Sequence, residues 1–595
     1  MSPPRERRRD YEGVAATFPD IASMLSDFPE GMEVVRTSIK VGGVPIGDDD
    51  SCKRKCEDAA NKFGGHIQTI KDTAISVQSK MVLLQYCGKP QVKLNHYVRV
   101  RPPEITSSAC RIADEHMADT LADVACKPRA DFRRGTARAT IEQLQLPMSG
   151  EGGAGAGFSS LELIAPVAYL ASFVDTKPLC VLNPTVATAI SEPAQWASSA
   201  SMSVSSAASA WDAVSTMPAF HHLAKDPTLV GTYKKATLSR EEAAAADAAV
   251  GTGATAADPP SATDSADDNA AAIDGEGPYP VGDRVPSLPK AWESCPGSHL
   301  QRALTRVLHI AAFYTLVNDD ELPLSTRCRI SQCTQFGAGR FMTAMPTSKD
   351  RVLSDQAYLT NWWHVGGMTQ GALRAPACCA ARCPTHGPRA VFNAAEAAEF
   401  AEGWHTLTCG ACKWLCRHNA VGSAVQTECY GPAGYSFDTT GEAVNVHLDS
   451  QKRVDAIARN PYKADAPDAI DFTIGMPMGK SYLSVDATLD PTYVTAKLER
   501  DKIHKHASKA KELGMQFMPI AFTTYGGMGD EFLKKRWRPF FKELMAEELK
   551  AGGKGWKTRK RQQRALEKLS IVLARENGAM IARATSWQQA VATRP

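Results

Sequence analysis

Two aspartates in the last third of the chain have the residue type and the spacing for metal-assisted hydrolysis. Asp455 lies in R-V-D-A-I-A and Asp471 in A-I-D-F-T-I, two short segments with the composition of β-strands. Two carboxylates side by side on neighbouring strands form a hard oxygen site for Mg²⁺, which lowers the pKa of bound water and clamps a phosphate. Aspartates that only end a strand and have no catalytic role can show the same spacing, so the pattern alone leaves both interpretations open.

A helix predicted over 491–513 follows these aspartates and carries Lys502, with His506 one turn later on the same face. A lysine at this point can stabilise negative charge that develops on a phosphate, or orient the attacking water. A solvated helix lysine is the alternative interpretation. Asp486, in S-V-D-A-T, competes with Asp471 for the role of the second carboxylate.

Nine cysteines and histidines lie within 378–418, a density that indicates a structural zinc site. The N-terminus has no apolar segment typical of a secretory signal, so we interpret the 16 cysteines of the chain as reduced thiols and metal ligands. The first candidate ligand set comprises Cys379, Cys383, His405 and Cys409. The second, more compact set comprises Cys409, Cys412, Cys416 and His418. Either set supplies four ligands, so the sequence leaves the choice between them open.

The glycines of T-T-Y-G-G-M-G, at 523–529, allow a close approach of the backbone to another group. That group is a bound phosphate in one interpretation. We favour the other interpretation, an ordinary turn between a strand and a helix.

Charge is unevenly distributed along the 595 residues. The formal net charge is only +3, yet residues 497–564 contain 18 Lys and Arg against 8 Asp and Glu. Residues 241–277 contain 9 acidic residues and no basic one. The basic region suits a polyanionic partner, although a pair of solvated helices has the same composition. Residues 241–290 have few large apolar side chains, so we predict a disordered linker there.

Hydrophobic periodicity predicts a helical N-terminal half and an α/β C-terminal domain in which a small mixed sheet is flanked by helices. A hydrophobic content of 43% allows sizeable cores. The predicted C-terminal strands cover 443–448, 453–458, 469–474 and 516–523. After the helix at 491–513, further helices are predicted over 530–549 and, as a pair, over 558–593.

The order of these motifs resembles the C-terminal part of non-LTR retrotransposon reverse-transcriptase polyproteins. The nuclease end of the resemblance is carried by R-V-D (453–455), A-I-D-F-T-I (469–474) and K-I-H-K-H (502–506). Upstream, V-G-G-V-P-I-G (41–47) and A-P-V-A-Y-L-A-S (165–172) resemble segments that follow the polymerase palm of that family. The fingers and palm themselves have no counterpart in this chain, so we do not expect reverse transcription from it alone.

The resemblance implies a zinc-binding element followed by a restriction-like endonuclease of the PD-(D/E)XK type. Asp455 and Asp471 match its two carboxylates and Lys502 its displaced helix lysine, while His506 stands where the family usually has a tyrosine. Val454 stands in place of the proline of the motif. The zinc ligands that match are Cys379, Cys383, His405 and Cys409.

Composition and the resemblance together divide the chain into regions. They are a disordered N-terminus (1–30), a thumb- and connector-like helical domain (31–195), a low-complexity linker (196–296), a helical connector (297–377), a Cys/His zinc element (378–419), an endonuclease domain (420–550) and basic helices (551–595).

We therefore expect a Mg²⁺-dependent DNA-nicking endonuclease with a structural Zn²⁺. A catalytically inactive nucleic-acid-binding remnant is the alternative. The expected partners are DNA and the RNA of the element, without a small-molecule substrate. Neither a secretory signal nor an apolar run of membrane-spanning length occurs in the sequence, so we expect a nuclear or cytoplasmic location and no membrane contact.

Overall fold

The computed structural model describes residues 38–41, 44–132, 134–148, 153–175, 300–370, 403–408, 414–439, 453–461 and 466–592. Several predictions fall outside these residues: the N-terminal segment 1–30, the linker at 196–296, the strand at 443–448 and the zinc ligands Cys379, Cys383, Cys409 and Cys412.

A β-hairpin and six helices form the N-terminal part. The hairpin pairs β1 (Ser38–Val41) with β2 (Val44–Gly47). The helices are α1 (Asp49–Asp72), α2 (Val77–Tyr86), α3 (Pro90–Val100), α4 (Pro103–Val124), α5 (Arg134–Gln145) and α6 (Leu161–Asp175). Asp48 caps α1 by accepting a hydrogen bond from the Ser51 N–H at 2.8 Å, which satisfies a backbone donor of the first turn.

Further helices follow from Leu300 onward. They are α7 (Leu300–Val317), α8 (Leu324–Gln332), α9 (Asp355–Gly366), α10 (Trp404–Thr408) and α11 (Trp414–Val425). One apolar core combines side chains from before and after the gap at 176–299, among them Leu121 of α4, Phe313 of α7 and the fully buried Trp362 of α9. Helical packing therefore joins the two regions within the described residues.

A four-stranded mixed sheet is the centre of the C-terminal part. Its strands lie in the order β3 (Ser436–Asp438), β4 (Ala456–Arg459), β5 (Asp468–Gly475) and β6 (Gln516–Thr523). The first two pairings are antiparallel and the third is parallel. Between β5 and β6 lie the short α12 (Asp486–Leu489) and the long α13 (Tyr493–Glu512), because a parallel connection needs a crossover.

Helices cover both faces of this sheet, since apolar side chains alternate along its strands. Ile457, Ala469 and Phe517 face α13 and pack with its Ala510. On the other face Ile470 and its neighbours on β4, β5 and β6 pack with α11 and the C-terminal helices. The predicted architecture, mostly helical with a small mixed sheet between helices, is confirmed.

The C-terminal helices differ from the prediction. After the short α14 (Asp530–Phe532), a π-helical turn (Leu533–Trp537) leads into α15 (Arg538–Lys550). The predicted last pair of helices is wrong, because Trp556–Ala592 forms one continuous helix, α16. In the parts of the chain that the structure describes, no helix has both the length and the apolar character that a membrane crossing requires.

Candidate active site

The register of two strands brings the two predicted aspartates together. Ala456 of β4 pairs with Ile470 of β5, and continuing that register by one residue sets Asp455 opposite Asp471. The Asp455 N–H donates to the Ile470 carbonyl at 2.9 Å, and its carboxylate Oδ2 accepts from the Phe472 N–H at 2.7 Å. Asp455 is thus fixed by backbone hydrogen bonds at the start of β4, next to the second carboxylate.

Lys502 completes this arrangement from α13. Its Nζ lies 2.5 Å from Asp471 Oδ2, and both side chains are largely buried, with 18% and 10% of their surfaces exposed. The crossover connection makes the contact, because it lays α13 across the face of the sheet toward which Asp471 points. Asp455, Asp471 and Lys502 form what we call the carboxylate site.

His418 also belongs to the carboxylate site. Its Nε2 lies 3.2 Å from Asp455 Oδ2 and 3.1 Å from the Phe472 carbonyl oxygen. Both neighbours are acceptors, so Nε2 is the nitrogen that carries a proton. The sequence offered His418 only as an alternative zinc ligand. Its role depends on the packing of α11 against β5, where a Cβ on Gly422 would lie 3.0 Å from the Phe472 ring.

The two carboxyl groups have pKa values displaced in opposite directions. Burial raises the pKa of Asp471, and the adjacent charge of Asp455 raises it further, while Lys502 only partly opposes this. Burial also opposes ionisation of Asp455, but the hydrogen bond and charge of His418 outweigh it, so the pKa of Asp455 is lowered. Two interacting carboxyls in different environments can hold one proton and one negative charge between them.

His418 gives the site a pH-dependent contribution to stability. Burial would lower its pKa, but the hydrogen bond and charge of Asp455 raise it above the usual value of about 6.5. A raised histidine pKa stabilises the fold at low pH, and this contribution is lost as the pH rises through the folded-state value. For His418→Gln we expect a loss of unfolding free energy on the order of 1 kcal/mol at about pH 5.5, and a smaller loss at about pH 8.5.

Urea unfolding at both pH values measures this difference. His504→Gln, at an exposed position of α13, is the matched control. An equal effect of His418→Gln at both pH values would contradict the ion pair with Asp455.

His506 and Val454 belong to the apolar layer beneath the carboxylate site. His506 is 2% exposed, and its ring centroid lies 5.8 Å from that of Phe517 on β6. Val454 is 5% exposed and packs with Ile457 and Ala469. The valine that replaces the proline of the motif therefore fills the core beside α13.

Asp486, the rival for the second carboxylate, lies on a different element. It is exposed in the first turn of the short helix α12. Asp471 is the carboxyl that interacts with Asp455, which supports the choice of Asp471 made from the sequence.

The predicted zinc site lies largely outside the described residues. Of the first ligand set only His405 is described, and it is buried on α10. Of the compact set, Cys416 is exposed on α11 and His418 contacts Asp455. Within the described ranges no group of three or more His, Cys, Asp and Glu side chains is arranged to hold a metal ion. The zinc site stays a prediction.

The glycine turn after β6 is filled by groups of the protein itself. A Cβ on Gly527 would lie 2.3 Å from Gln335 Oε1, and one on Gly529 would lie 2.0 Å from Glu499 Oε1. Gly526 has φ +95°, a conformation that favours glycine. These close contacts explain the glycines as packing positions in a strand-to-helix turn.

Glu499 is a buried carboxyl group that the sequence did not single out. It lies on α13 one turn before Lys502, and its Oε1 accepts a hydrogen bond from the Glu531 N–H of α14 at 3.1 Å. Burial raises its pKa to about 8, with nearby Glu531 and Asp530 adding to the effect. The group is thus protonated near neutral pH in the folded protein.

Glu499→Gln is therefore expected to remove a pH dependence of stability. A raised carboxyl pKa stabilises the fold below the unfolded value of about 4.5, and this contribution is lost as the pH rises through about 8. Relative to the variant, the wild type should lose unfolding free energy on the order of a few kcal/mol between about pH 5 and about pH 9.

Urea unfolding across this pH range provides the measurement, with Glu512→Gln at the exposed end of α13 as the control. Parallel pH profiles for the wild type and Glu499→Gln would show that the carboxyl is not shifted.

Comparison with known proteins does not show a family for this chain. No protein-family model matches the chain, and no curated protein matches it. Functional inference therefore rests on the carboxylate site and on the motifs of the sequence.

Proposed function

We propose that the chain is a retrotransposon-derived, Mg²⁺-dependent endonuclease that nicks DNA. The observation that carries the proposal is the contact between Asp471 and Lys502 at 2.5 Å, beside a second carboxylate, Asp455. The arrangement agrees with the PD-(D/E)XK type in its chemistry, although Thr473 stands two residues after Asp471 and the lysine comes from α13. The order of the elements also supports the proposal: three strands that pair antiparallel with one another are followed by a helix and by a fourth strand that pairs parallel with the third.

The residues of the carboxylate site fit a magnesium ion. Mg²⁺ is usually held by one or two carboxylates together with water and substrate phosphate, so Asp455 and Asp471 are sufficient protein ligands. The pKa of Asp471 is raised first by burial and then by the charge of Asp455, and this fits as well, because a cation between the two carboxylates would favour the ionised form of both. When bound, Mg²⁺ supplies Lewis-acid activation of water and of the phosphate.

The side chains around the carboxylates have separate tasks in phosphodiester hydrolysis. Lys502 orients the Asp471 carboxylate and adds a positive charge near the phosphate oxygens that gain negative charge in the transition state. His418 donates a hydrogen bond to Asp455 and keeps that carboxylate in place and ionised, so it is a positioning residue. Water forms a new P–O bond as the P–O bond to the leaving oxygen breaks, and the leaving oxygen takes up a proton. The product is a nicked strand with one phosphate end and one hydroxyl end.

The proposal includes a structural zinc at Cys379, Cys383, His405 and Cys409, and DNA together with element RNA as partners. The resemblance to retrotransposon polyproteins supports these additions. Zinc bound to the purified chain, measured by metal analysis after dialysis, tests the first of them. A zinc content near zero in protein purified without chelator would contradict it.

Nicking of supercoiled plasmid by the full chain tests the enzymatic proposal. Conversion to the open-circular form is expected in Mg²⁺ and not in EDTA, and Asp455→Ala is expected to abolish it. Cleavage that is unchanged in Asp455→Ala would overturn the assignment of this site.

Salt-sensitive DNA binding without cleavage in either Mg²⁺ or Mn²⁺ would support the alternative, a non-catalytic nucleic-acid-binding protein. The exposed basic side chains at the start of α16 favour nucleic-acid binding in either case.

A further inference from the structure

The first turns of α16 carry a regular row of exposed basic side chains. Lys557, Lys560, Arg561 and Arg564 are all exposed, and their i, i+3, i+4, i+7 spacing sets them on one face of the helix. Leu566, which is buried, lies on the opposite face, and the buried Thr558 and Ala565 lie about 100° of helical rotation to one side of these four residues. We call these four residues the basic stripe. It points away from the core that the same helix helps to form.

Most of the charge of the basic stripe has no acidic partner in the described part of the chain, although Lys557 lies close enough to Glu548 to lower the pKa of that carboxyl group. No acidic residue occurs in the sequence between Glu548 and Glu567. None of the four side chains forms an ion pair with any residue that the structure describes. The next basic residue along this face, Lys568, does pair with Asp350. The stripe is thus a local concentration of positive charge.

The start of α16 is held firmly, so the stripe has a fixed orientation. Glu548, near the end of α15, accepts hydrogen bonds at 2.8 Å from both the backbone N–H and the hydroxyl of Thr558. Gly555 makes the tight turn between the helices with φ +71°. Trp556 is 54% exposed, and Lys560 Nζ lies 5.0 Å from the centroid of its ring. The carboxylate of Glu548 already accepts hydrogen bonds at this helix end. A ligand that binds here would therefore contact the exposed side chains of α16 and not its first backbone N–H groups.

We propose that the basic stripe binds the phosphate backbone of duplex DNA. Its four residues span about 10 Å of helix, which matches the distance across about four consecutive phosphates of one strand at a rise of about 3.4 Å per base pair. The stripe lies on a single helix face with one exposed aromatic side chain, whereas single strands are bound in grooves with several stacking platforms. It also has no apolar face of the kind that inserts into a membrane surface.

The choice of DNA rests on the proposed function, because a nicking enzyme must hold a duplex next to its carboxylates. Phosphate contacts of this kind give register and affinity but no sequence preference. The stripe therefore supplies binding that is separate from the chemistry at Asp455 and Asp471.

Salt-dependent binding of the full chain to a fluorescent DNA duplex in EDTA tests the stripe. The variant replaces all four residues: Lys557→Gln, Lys560→Gln, Arg561→Gln and Arg564→Gln. Loss of four phosphate contacts is expected to reduce the slope of log K against log salt by about 3 to 4. Between about 50 and about 200 mM salt the wild type should then lose about 100-fold more affinity than the variant.

A matched control removes the same charge elsewhere. It replaces four exposed residues of the N-terminal helices: Lys53→Gln, Lys62→Gln, Lys93→Gln and Arg111→Gln. The salt slope of this control should equal that of the wild type. An unchanged slope in the stripe variant, or the same reduction in the control, overturns the proposal. So does a stripe variant that loses binding to duplex RNA and keeps its binding to DNA.

The binding assay and the nicking assay have separate outcomes. Binding that depends on the stripe, in a wild-type protein that does not nick in Mg²⁺, would uphold the stripe and overturn the nuclease. Nicking in Mg²⁺ by a protein whose DNA binding does not depend on the stripe would uphold the nuclease and overturn the stripe.

Discussion

Replacing Asp471 by Asn is expected to lower the rate of DNA nicking by at least about 100-fold while the protein stays folded. Asn has the shape of Asp and keeps an oxygen for Lys502 Nζ, which lies 2.5 Å from the carboxylate in the wild type. The variant loses the negative charge that a metal ligand needs. Stability should not fall much, because burial and Asp455 already make ionised Asp471 unfavourable, as its raised pKa indicates.

The rate of conversion of supercoiled plasmid to open circles gives the activity, and urea unfolding checks the fold. Asp486→Asn is the matched control, since Asp486 is the exposed rival carboxylate on α12 and its loss should leave the rate unchanged. A large loss of activity in Asp486→Asn together with a small loss in Asp471→Asn would assign the second carboxylate to Asp486.

Replacing Arg536 by Met is expected to lower the free energy of unfolding by about 3–5 kcal/mol. Arg536 Nε and Nη2 lie 2.6 Å and 2.5 Å from the two carboxylate oxygens of Asp468, at the start of β5. Asp468 is 1% exposed, and its Oδ2 also accepts a hydrogen bond from the Tyr430 hydroxyl at 3.2 Å. Met keeps most of the volume of arginine but leaves a buried negative charge without its cation, which is a costly arrangement.

Chemical denaturation at neutral pH measures this loss. Lys534→Met is the control, because Lys534 lies in the same π-helical turn and forms an exposed pair with Asp530. Exposed pairs of this kind contribute at most about 1 kcal/mol. Similar destabilisation in both variants would show that the buried Arg536–Asp468 pair contributes no more to the free energy of unfolding than the exposed pair. Because Asp468 begins the strand that carries Asp471, Arg536→Met should also slow nicking.

Local sequence patterns located two strands of the C-terminal sheet closely, whereas β3 (Ser436–Asp438) was not predicted. The strand predicted at 516–523 is β6, Gln516–Thr523, and the one predicted at 469–474 is β5, Asp468–Gly475. The helix predicted at 491–513 is α13, Tyr493–Glu512. These elements are long for their type and strongly apolar on the faces that they bury. The secondary structure of such segments depends least on distant contacts, so it can be predicted from the local sequence.

The last helix shows where local patterns fail. A pair of helices was predicted over 558–593, but α16 continues through Gly578 without a break. A Cβ at this position would lie 2.8 Å from the Ala357 Cα atom of α9. Gly578 is therefore a point of close helix packing. Sequence alone does not distinguish such a glycine from one that ends a helix.

The amino-acid sequence determined which residues could do chemistry. It identified Asp455, Asp471 and Lys502 by type and by the elements that carry them, and it gave the order of those elements. These properties are local, because strand and helix periodicity are set by neighbouring residues.

Only the tertiary structure decided which side chains meet. The β4–β5 register sets Asp455 opposite Asp471, the crossover helix lays Lys502 on Asp471, and the packing of α11 brings His418 to Asp455. The tertiary structure also places the buried Glu499 side chain against Gly529. Such contacts join residues that are far apart in the chain, and they depend on register and packing that no short segment encodes by itself.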